Sequence, residues 1–504
     1  MPKTIVNPFT GNKRRQEPKY TDRGRRDPSL YADKKMDRSF FQEIMLSLEK
    51  KQSAALNTTL DFLSCSLILN QLQPVGSEGL TLYLAVCTGI FCQEINDTNT
   101  AFNNLVEMEA SLCDIPPGES EAETYSKPPK WTRIDDFVSN SEAKNFTNYN
   151  IDQLRELVDL FGLPEWITVP TASRTRYRFH REELLIYMFS KAKGGHTHAE
   201  MADKITFGYR QRWSYGYKWI VTYLDFRYYH LIGPEGLGKW APHFPAFTEA
   251  IRAHLAEPSP KWNADIGQTE IIPGIYFPPG IFKIFCFGDC SDWPISTPLS
   301  GPEFDICGSK RKPWWYIHQK AFFGGHHNRH ALKTLSYTGP NGLTLAVFGP
   351  YSCRRNDRKI FEWTNVDNTL ANLNQHQFGI QTDHECFMAY YDNGIFGRQW
   401  RCHRSPHRSA PGAPLTDDQK HENNRMSAER ITVEWSYGDI DKLWALCGHK
   451  KSRLMLEKDA NLVYAQIRVL HLLTNIYTCF RGNTCSSYYQ LRRPTAQEYL
   501  EGNF

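Results

Sequence analysis

The sequence lacks the features that define several large classes of protein. It has no C-x-x-C motif, and its 13 cysteines in 504 residues do not form the framework of a small disulfide-rich domain. No apolar run approaches the roughly 20 residues that span a bilayer. The N-terminus is polar and basic, without a secretory apolar core, and no internal repeat is found. We therefore expect a soluble protein with reduced thiols and no membrane association.

A strong charge of one sign is also missing. The net charge is only +4, so any basic surface has to come from local clusters. Two such clusters lie at residues 13–15 and 23–26, within a segment that has few apolar residues. Clusters of this kind are typical of nuclear-import signals and of arms that contact DNA, although a merely solvated tail stays open. We assign residues 1–36 to a basic flexible arm and expect a nuclear location.

Hydrophobic periodicity divides the rest of the chain into regions. Helical spacing predicts a small helical region at 37–113 and a helical domain at 150–265. Between them, Pro-rich and acidic segments predict a linker at 114–149. Strand-like apolar runs then indicate a mixed α/β domain at 266–490, and residues 491–504 are left as a C-terminal tail.

The helical domain contains a pattern typical of a helix-turn-helix. A short helix at 198–204 is followed by a turn with glycine and by a long aromatic helix at 211–229. In that arrangement Arg210, Arg212 and Lys218 would face DNA phosphates, whereas the aromatic side chains would pack inward. A plain helical scaffold is the alternative interpretation.

Three acidic residues stand in settings that favour metal chemistry. Asp289 ends the apolar run 281–288, Asp392 ends a second run at 386–391, and Glu434 lies inside a later helical stretch. Carboxylates at two strand ends and on one helix can converge on one point. Without cysteine or histidine they favour a hard divalent cation, which phosphodiester chemistry uses. Taken singly, each residue could instead be a turn, a helix cap or a solvated side chain.

Short motifs around these acids resemble those of PIF/Harbinger-type DDE-superfamily transposases. The segments 287–291 and 391–396 resemble the two aspartate motifs of that family, and 424–444 resembles its glutamate helix. Further matches follow the family order at 329–333, 340–343 and 349–357. The sequence departs from the family pattern at Cys290-Ser291, where Gly-Thr is commoner, and in the long interval between the two aspartates.

The resemblance implies an RNase H-like mixed sheet with flanking helices, preceded by the helix-turn-helix-like domain. It also implies a metal-dependent DNA endonuclease or transposase. Asp289 would bridge two Mg or Mn ions, and Asp392 and Glu434 would each complete one metal shell. The implied partners are double-stranded DNA at transposon ends and a separate Myb-like DNA-binding protein. A homodimer stays open.

Several competing interpretations stay open at this stage. Asp357 lies in the segment that resembles the family's "hDs" motif and competes with Asp392 as the second acid, whereas Asp292 is interpreted as a turn residue. Further candidate DNA contacts are His330, Lys333, Arg430 and the basic stretches Lys310–Lys312 and Arg401–Arg408. A zinc site at Cys402, His403 and His407 stays open, although its spacing matches no standard pattern. A domesticated DNA-binding or scaffold protein that does not cleave, and an RNA-directed nuclease, are the alternative functions.

Overall fold

The structure is a computed structural model of the whole chain. It describes residues 131–170, 176–204, 210–263, 268–278, 280–296, 322–324, 328–380, 382, 385–395, 400–410, 413–448 and 460–504. The chain divides into two units, Met1–Ala110 and Ser111–Phe504, and all described residues belong to the second. The predicted arm 1–36, the helical region 37–113 and the linker up to residue 130 lie outside the described residues.

The first half of the described chain is mainly helical. Its elements are α1 (Asn140–Thr147), α2 (Ile151–Leu160), β1 (Trp166–Pro170), β2 (Arg176–His180), α3 (Arg181–Gly194), α4 (His198–Lys204), α5 (Arg210–Ile232), α6 (Gly236–Trp240) and α7 (Phe244–Ala256). Helix α1 begins at an N-cap, where the Ser139 side chain accepts a hydrogen bond from the Glu142 amide. The last part of the segment expected to be a linker is therefore helical.

The second half contains the remaining strands and helices. They are β3 (Ser259–Asn263), β4 (Gln268–Ile272), β5 (Ile284–Pro294), β6 (Phe323–Gly324), β7 (Arg329–Thr338), β8 (Thr344–Ser352), α8 (Asp357–Thr364), α9 (Val366–Phe378), β9 (Met388–Tyr390), β10 (His403–Arg404), α10 (Asp417–Leu443), α11 (Ala460–Arg481), α12 (Thr484–Tyr489) and α13 (Ala496–Glu501). The mixed α/β class predicted from the sequence is what the structure has.

A mixed sheet forms the centre of this half. Strand β5 pairs antiparallel with β7 on one side and parallel with β9 on the other. Strand β8 continues the sheet beyond β7 in antiparallel pairing, the short β6 pairs with the start of β7, and β10 lies parallel to β9. The apolar start of β5, from Ile284 to Phe287, is fully buried because it is a central strand covered on both faces.

Helices cover the sheet and connect it to the first half of the chain. Helix α7 packs against β5, α10 crosses β5 and β7, and α11 packs against both β8 and α5. As the sequence predicts, Trp213, Tyr217, Trp219 and Tyr223 on α5 are buried. The regions expected as separate domains at 150–265 and 266–490 thus pack against each other within one unit.

The C-terminal segment 491–504 differs from the tail that the sequence suggested. It contains α13, whose Tyr499 and Leu500 are buried, and the Phe504 ring stacks on Trp240 at 3.9 Å between centroids. Burial of these apolar side chains holds the segment on the fold. Among the described residues, no helix is long and apolar enough to cross a membrane.

Candidate active site

The pairing of β5 with β9 brings Asp289 and Asp392 side by side. In this parallel pair Phe287 is the partner of Tyr390, and each aspartate follows two residues after its strand partner. Asp392 lies just beyond the end of β9, and its charge raises the pKa of Asp289, so the two carboxylates lie near each other. One Asp392 carboxylate oxygen accepts a hydrogen bond from the Gly394 amide at 2.7 Å, which fixes the chain as it leaves the strand.

Asp289 does not end its strand, as the apolar run suggested. Strand β5 continues through polar residues to Pro294, because β7 pairs with it along its whole second half. Asp292, expected to be a turn residue, therefore lies within β5 opposite Lys333 on β7. Asp289 and Asp292 are both half-buried positions in the middle of the sheet.

Helix α10 is fixed to the sheet directly at Asp289. The Tyr437 hydroxyl donates to the Asp289 carbonyl oxygen at 2.6 Å and accepts from the Ser336 hydroxyl at 2.7 Å. Ser336 is the residue on β7 that pairs with Asp289. Because Glu434 lies three residues before Tyr437, it is on the same side of the helix, facing the aspartate.

Arg430 connects two of the three predicted acids. Its guanidinium donates to Asp289 Oδ2 at 3.0 Å and to Glu434 Oε1 at 2.8 Å. Arg430 and Glu434 are four residues apart on α10 and share a helix face, as their spacing predicts. The Arg430 side chain is 20% exposed and that of Glu434 is 52% exposed, so the pair lies where the sheet meets solvent.

A second basic residue binds Asp357, the other candidate for the second acid, and Asp292, expected from the sequence to be a turn residue. Lys333 Nζ lies 2.9 Å from Asp357 Oδ1 and 3.6 Å from Asp292 Oδ1. A methyl group added at Gly394 would meet both Asp392 Oδ1, at 3.0 Å, and Asp357 Oδ2, at 3.6 Å. Asp357 and Asp392 therefore border the same space, and neither is remote from Asp289.

Burial and the neighbouring charges shift the pKa of Asp289. Burial raises the pKa of its carboxyl from 3.8 to about 6, and the charges of Asp392 and Asp357 act in the same direction. Arg430 and the Cys290 backbone N–H, which donates to Asp289 Oδ1 at 2.8 Å, oppose that rise in pKa. Five acids and two internal cations thus lie around this part of the sheet, which leaves a surplus of negative charge there, although Asp292, three residues after Asp289 in β5, faces the opposite side of the strand.

The donor atoms suit a hard divalent cation, since all five acids offer carboxylate oxygens. The Arg430 guanidinium occupies oxygens of Asp289 and Glu434, which shows that a cation is accommodated there. Across the described residues, no three His, Cys, Asp or Glu side chains are arranged closely enough to hold a metal ion as they stand. Mg or Mn would fit the carboxylate oxygens of Asp289, Asp392 and Glu434 if these side chains moved closer together and Arg430 left the oxygens of Asp289 and Glu434.

The zinc arrangement considered from the sequence is not formed. Cys402 is buried, with its sulfur 3.7 Å from the Asn374 amide nitrogen. His403 Nδ1 lies 2.5 Å from Asp367 Oδ1, and His407 Nε2 lies 3.1 Å from Glu422 Oε2. Because each side chain has a different partner, the three do not converge on one point.

The predicted DNA contacts on α5 separate into two kinds. Arg210 and Lys218 are exposed, as expected. Arg212 is buried instead: its guanidinium contacts the Glu183 carboxylate at 3.1 and 3.2 Å and the Arg178 carbonyl oxygen at 2.7 Å. The prediction that Arg212 faces phosphates is wrong, because its side of α5 packs against β2 and α3.

Two of the other predicted contacts, Lys333 and Arg430, lie in the acidic site. His330 is half-buried at the start of β7, edge-on to the Phe323 ring at 5.3 Å. Lys333 and Arg430 are bound to the acids described above and are not surface cations. In the stretch Arg401–Arg408, Arg404 pairs with Glu422, whereas Lys310–Lys312 lies outside the described residues.

A comparison with known families identifies the same part of the chain. Residues 290–475 match a family model described as "DDE superfamily endonuclease". The match begins directly after Asp289 and includes Asp357, Asp392 and Glu434, and the mixed sheet with flanking helices is consistent with it. No significant match was found among the curated proteins or the solved structures compared.

Proposed function

We propose that this protein is a metal-dependent DNA endonuclease of the PIF/Harbinger transposase type. One observation supports the proposal: Asp392 follows β9 beside the strand that carries Asp289, and Arg430 joins Asp289 to Glu434 on α10. The RNase H-like interpretation of the fold is supported by the strand order β8–β7–β5–β9–β10 with α10 across it. Cleavage of phosphodiester bonds is the proposed reaction, and strand transfer is a further step open to the same site.

Asp289, Asp392 and Glu434 are the proposed ligands for Mg or Mn, two ions in all. When bound, such ions supply a water-derived nucleophile and stabilise the leaving oxygen of an in-line displacement. The protein's part is to place the carboxylates. Tyr437 sets the position of α10 relative to Asp289, and Arg430 orients Glu434 towards it. The surplus of acids would repel a phosphate, so DNA approach requires that charge to be neutralised first.

Cleavage of supercoiled plasmid DNA tests the activity, with magnesium in one arm and EDTA in the other. We expect cleavage that requires the metal and is lost in Asp289→Asn, Asp392→Asn and Glu434→Gln. Asp418→Asn is the matched control, since it neutralises an exposed acid in the first turn of α10. If the protein binds DNA but does not cleave it with either magnesium or manganese, the result would support the alternative, a domesticated DNA-binding or scaffold protein.

The same assay decides between the two candidates for the second acid. Asp357 is held by Lys333, whereas Asp392 accepts a backbone amide. We therefore expect Asp357→Asn to keep measurable cleavage and Asp392→Asn to abolish it. The reverse result would make Asp357 the second catalytic acid and remove Asp392 from the mechanism.

The proposal extends to substrate, partners and location. We propose the ends of a transposon as the DNA substrate, a Myb-like protein as the source of sequence specificity, and the nucleus as the place of action. A homodimer would allow two DNA ends to be processed together. In binding assays we expect the isolated chain to show weak sequence preference, and we expect a Myb-like partner to increase that preference.

A further inference from the structure

The β1–β2 hairpin presents a basic and aromatic face to solvent. Its antiparallel register pairs Thr168 with Arg178 and Trp166 with His180. Arg176 and Arg178 are both exposed, and because they are two residues apart they lie on the same face of β2. The opposite face of the hairpin is apolar and fully buried through Ile167, Val169 and Phe179.

One arginine on this face is held by an aromatic ring. The Arg178 guanidinium carbon lies 4.3 Å from the centroid of Trp166, which is itself 40% exposed. Stacking on an indole orients a guanidinium while its N–H groups remain able to bind acceptors. In the part of the chain that the structure describes, neither Arg176 nor Arg178 forms an ion pair with a carboxylate. Both positive charges on this face are therefore uncompensated by a direct partner.

The hairpin is also rigidly attached to the start of α5. The buried Arg212 donates to the Arg178 carbonyl oxygen at 2.7 Å, and the Tyr177 and Tyr215 rings lie 6.0 Å apart. Arg212 thus fixes the strand that carries Arg176 and Arg178, although it does not itself reach solvent.

We propose that this face, defined by Trp166, Arg176 and Arg178, binds the sugar-phosphate backbone of duplex DNA. Arg176 and Arg178 are separated by about 6.8 Å along the strand. One DNA strand rises by about 3.4 Å per nucleotide along the duplex, so two nucleotide steps cover about the same distance. Contacts of this kind fix position without reading sequence. The inference rests on the proposed function, because it assigns a contact surface for the DNA that the acidic site would cleave.

Fluorescence anisotropy of the full-length chain tests the surface. All variants carry Asp289→Asn and are measured in EDTA, so that the duplex is not cut. The probe is a labelled duplex of random sequence, titrated at a series of salt concentrations. We expect Arg176→Gln/Arg178→Gln to reduce the slope of log K against log salt by about 2, since each phosphate contact contributes about 0.9.

Two matched controls separate local contact from total charge and from packing. Arg155→Gln/Arg492→Gln removes the same charge from two exposed arginines that are each paired with an acid, and should leave the slope unchanged. Trp166→Leu keeps both arginines but removes the stacking, so it should weaken binding with little change of slope. Thermal unfolding of each variant checks that the fold is retained.

Three results would overturn the proposal: an unchanged slope in the double variant, an equal change in the control pair, or no binding of duplex DNA by the parent chain. A greater effect of the double variant on single-stranded than on duplex DNA would overturn the duplex assignment. Failure of the proposed cleavage is distinguishable, because the plasmid assay measures it separately. If the wild-type protein cuts plasmid DNA but the double variant has an unchanged salt slope, the hairpin proposal is refuted and the proposed function stands.

Discussion

The charge on Asp289 should destabilise the metal-free protein at neutral pH. Burial, and then the neighbouring Asp392 and Asp357, raise the pKa of this carboxyl from 3.8 to about 6, even though Arg430 opposes the rise. Since the folded protein binds the proton more tightly than the unfolded chain does, protonated Asp289 favours folding. That contribution is fully present below about pH 4, the usual aspartate pKa, and is lost as the pH rises through about 6.

The magnitude follows from the size of the pKa shift. A shift of about two units at about 1.4 kcal/mol per unit corresponds to about 3 kcal/mol as an upper bound. The bound applies because the Asp289 side chain is only 19% exposed and solvent screening is limited. Asparagine has the same shape, stays neutral and can still accept from Arg430. Metal-free Asp289→Asn should therefore be more stable than the parent above about pH 7, and the difference should vanish near about pH 4.

Urea unfolding in EDTA at about pH 7.5, 6 and 4.5 measures this difference. Asp418→Asn, an exposed acid on α10, is the control and should show no comparable gain at any of these pH values. A loss of stability in Asp289→Asn at neutral pH would refute the reasoning. It would mean that the ionised carboxylate is a structural ion pair for Arg430, and the case for a site that awaits a metal would lose its electrostatic support.

Two further predictions concern the residues around the acids. Arg430→Gln should raise the affinity for Mn²⁺ by about tenfold or more, because it removes a positive charge that competes for oxygens of Asp289 and Glu434. Calorimetric titration measures this, with Lys442→Gln further along α10 as the control, and an unchanged affinity would contradict it. Tyr437→Phe should cost about 1–3 kcal/mol and weaken Mn²⁺ binding, since the Ser336 hydroxyl and the Asp289 carbonyl lose their shared partner. Tyr477→Phe is the control, and wild-type stability together with wild-type metal affinity would show that the anchor is unimportant.

The elements that carry the site could be located from the sequence. The apolar runs before Asp289 and Asp392 are buried strands, and helical spacing around Glu434 marked α10. The extent of β5 could not be found in this way, because its second half is polar and exists through pairing with β7. Hydrophobic pattern reports burial, whereas backbone pairing depends on a partner strand about 40 residues away along the chain.

The sequence also does not show which residues the charged side chains contact in the folded protein. Arg212 was assigned to the surface because a charged residue on an isolated helix has no visible partner. Its partner Glu183 comes from a different helix and makes a buried ion pair possible. Lys333 and Asp357 are another example, since strand β7 and helix α8 meet only in the folded chain. Such pairs cannot be recognised from the sequence, because the number of residues between the two partners follows no regular period and depends on the fold.

The two internal cations pair with different acids, and this pairing determines which carboxylates a metal ion could reach. Lys333 is held between Asp357 and Asp292, with a side chain only 15% exposed. Arg430 joins Asp289 to the more exposed Glu434. Asp392 accepts a backbone amide and, in the described part of the chain, pairs with neither cation. An ion approaching Asp392 and Asp289 would therefore displace only Arg430, whose other partner is already half in solvent, and could leave the Lys333 pairs intact. A set that includes Asp357 would require Lys333 to be displaced as well, and this additional loss of ion pairs favours Asp289, Asp392 and Glu434.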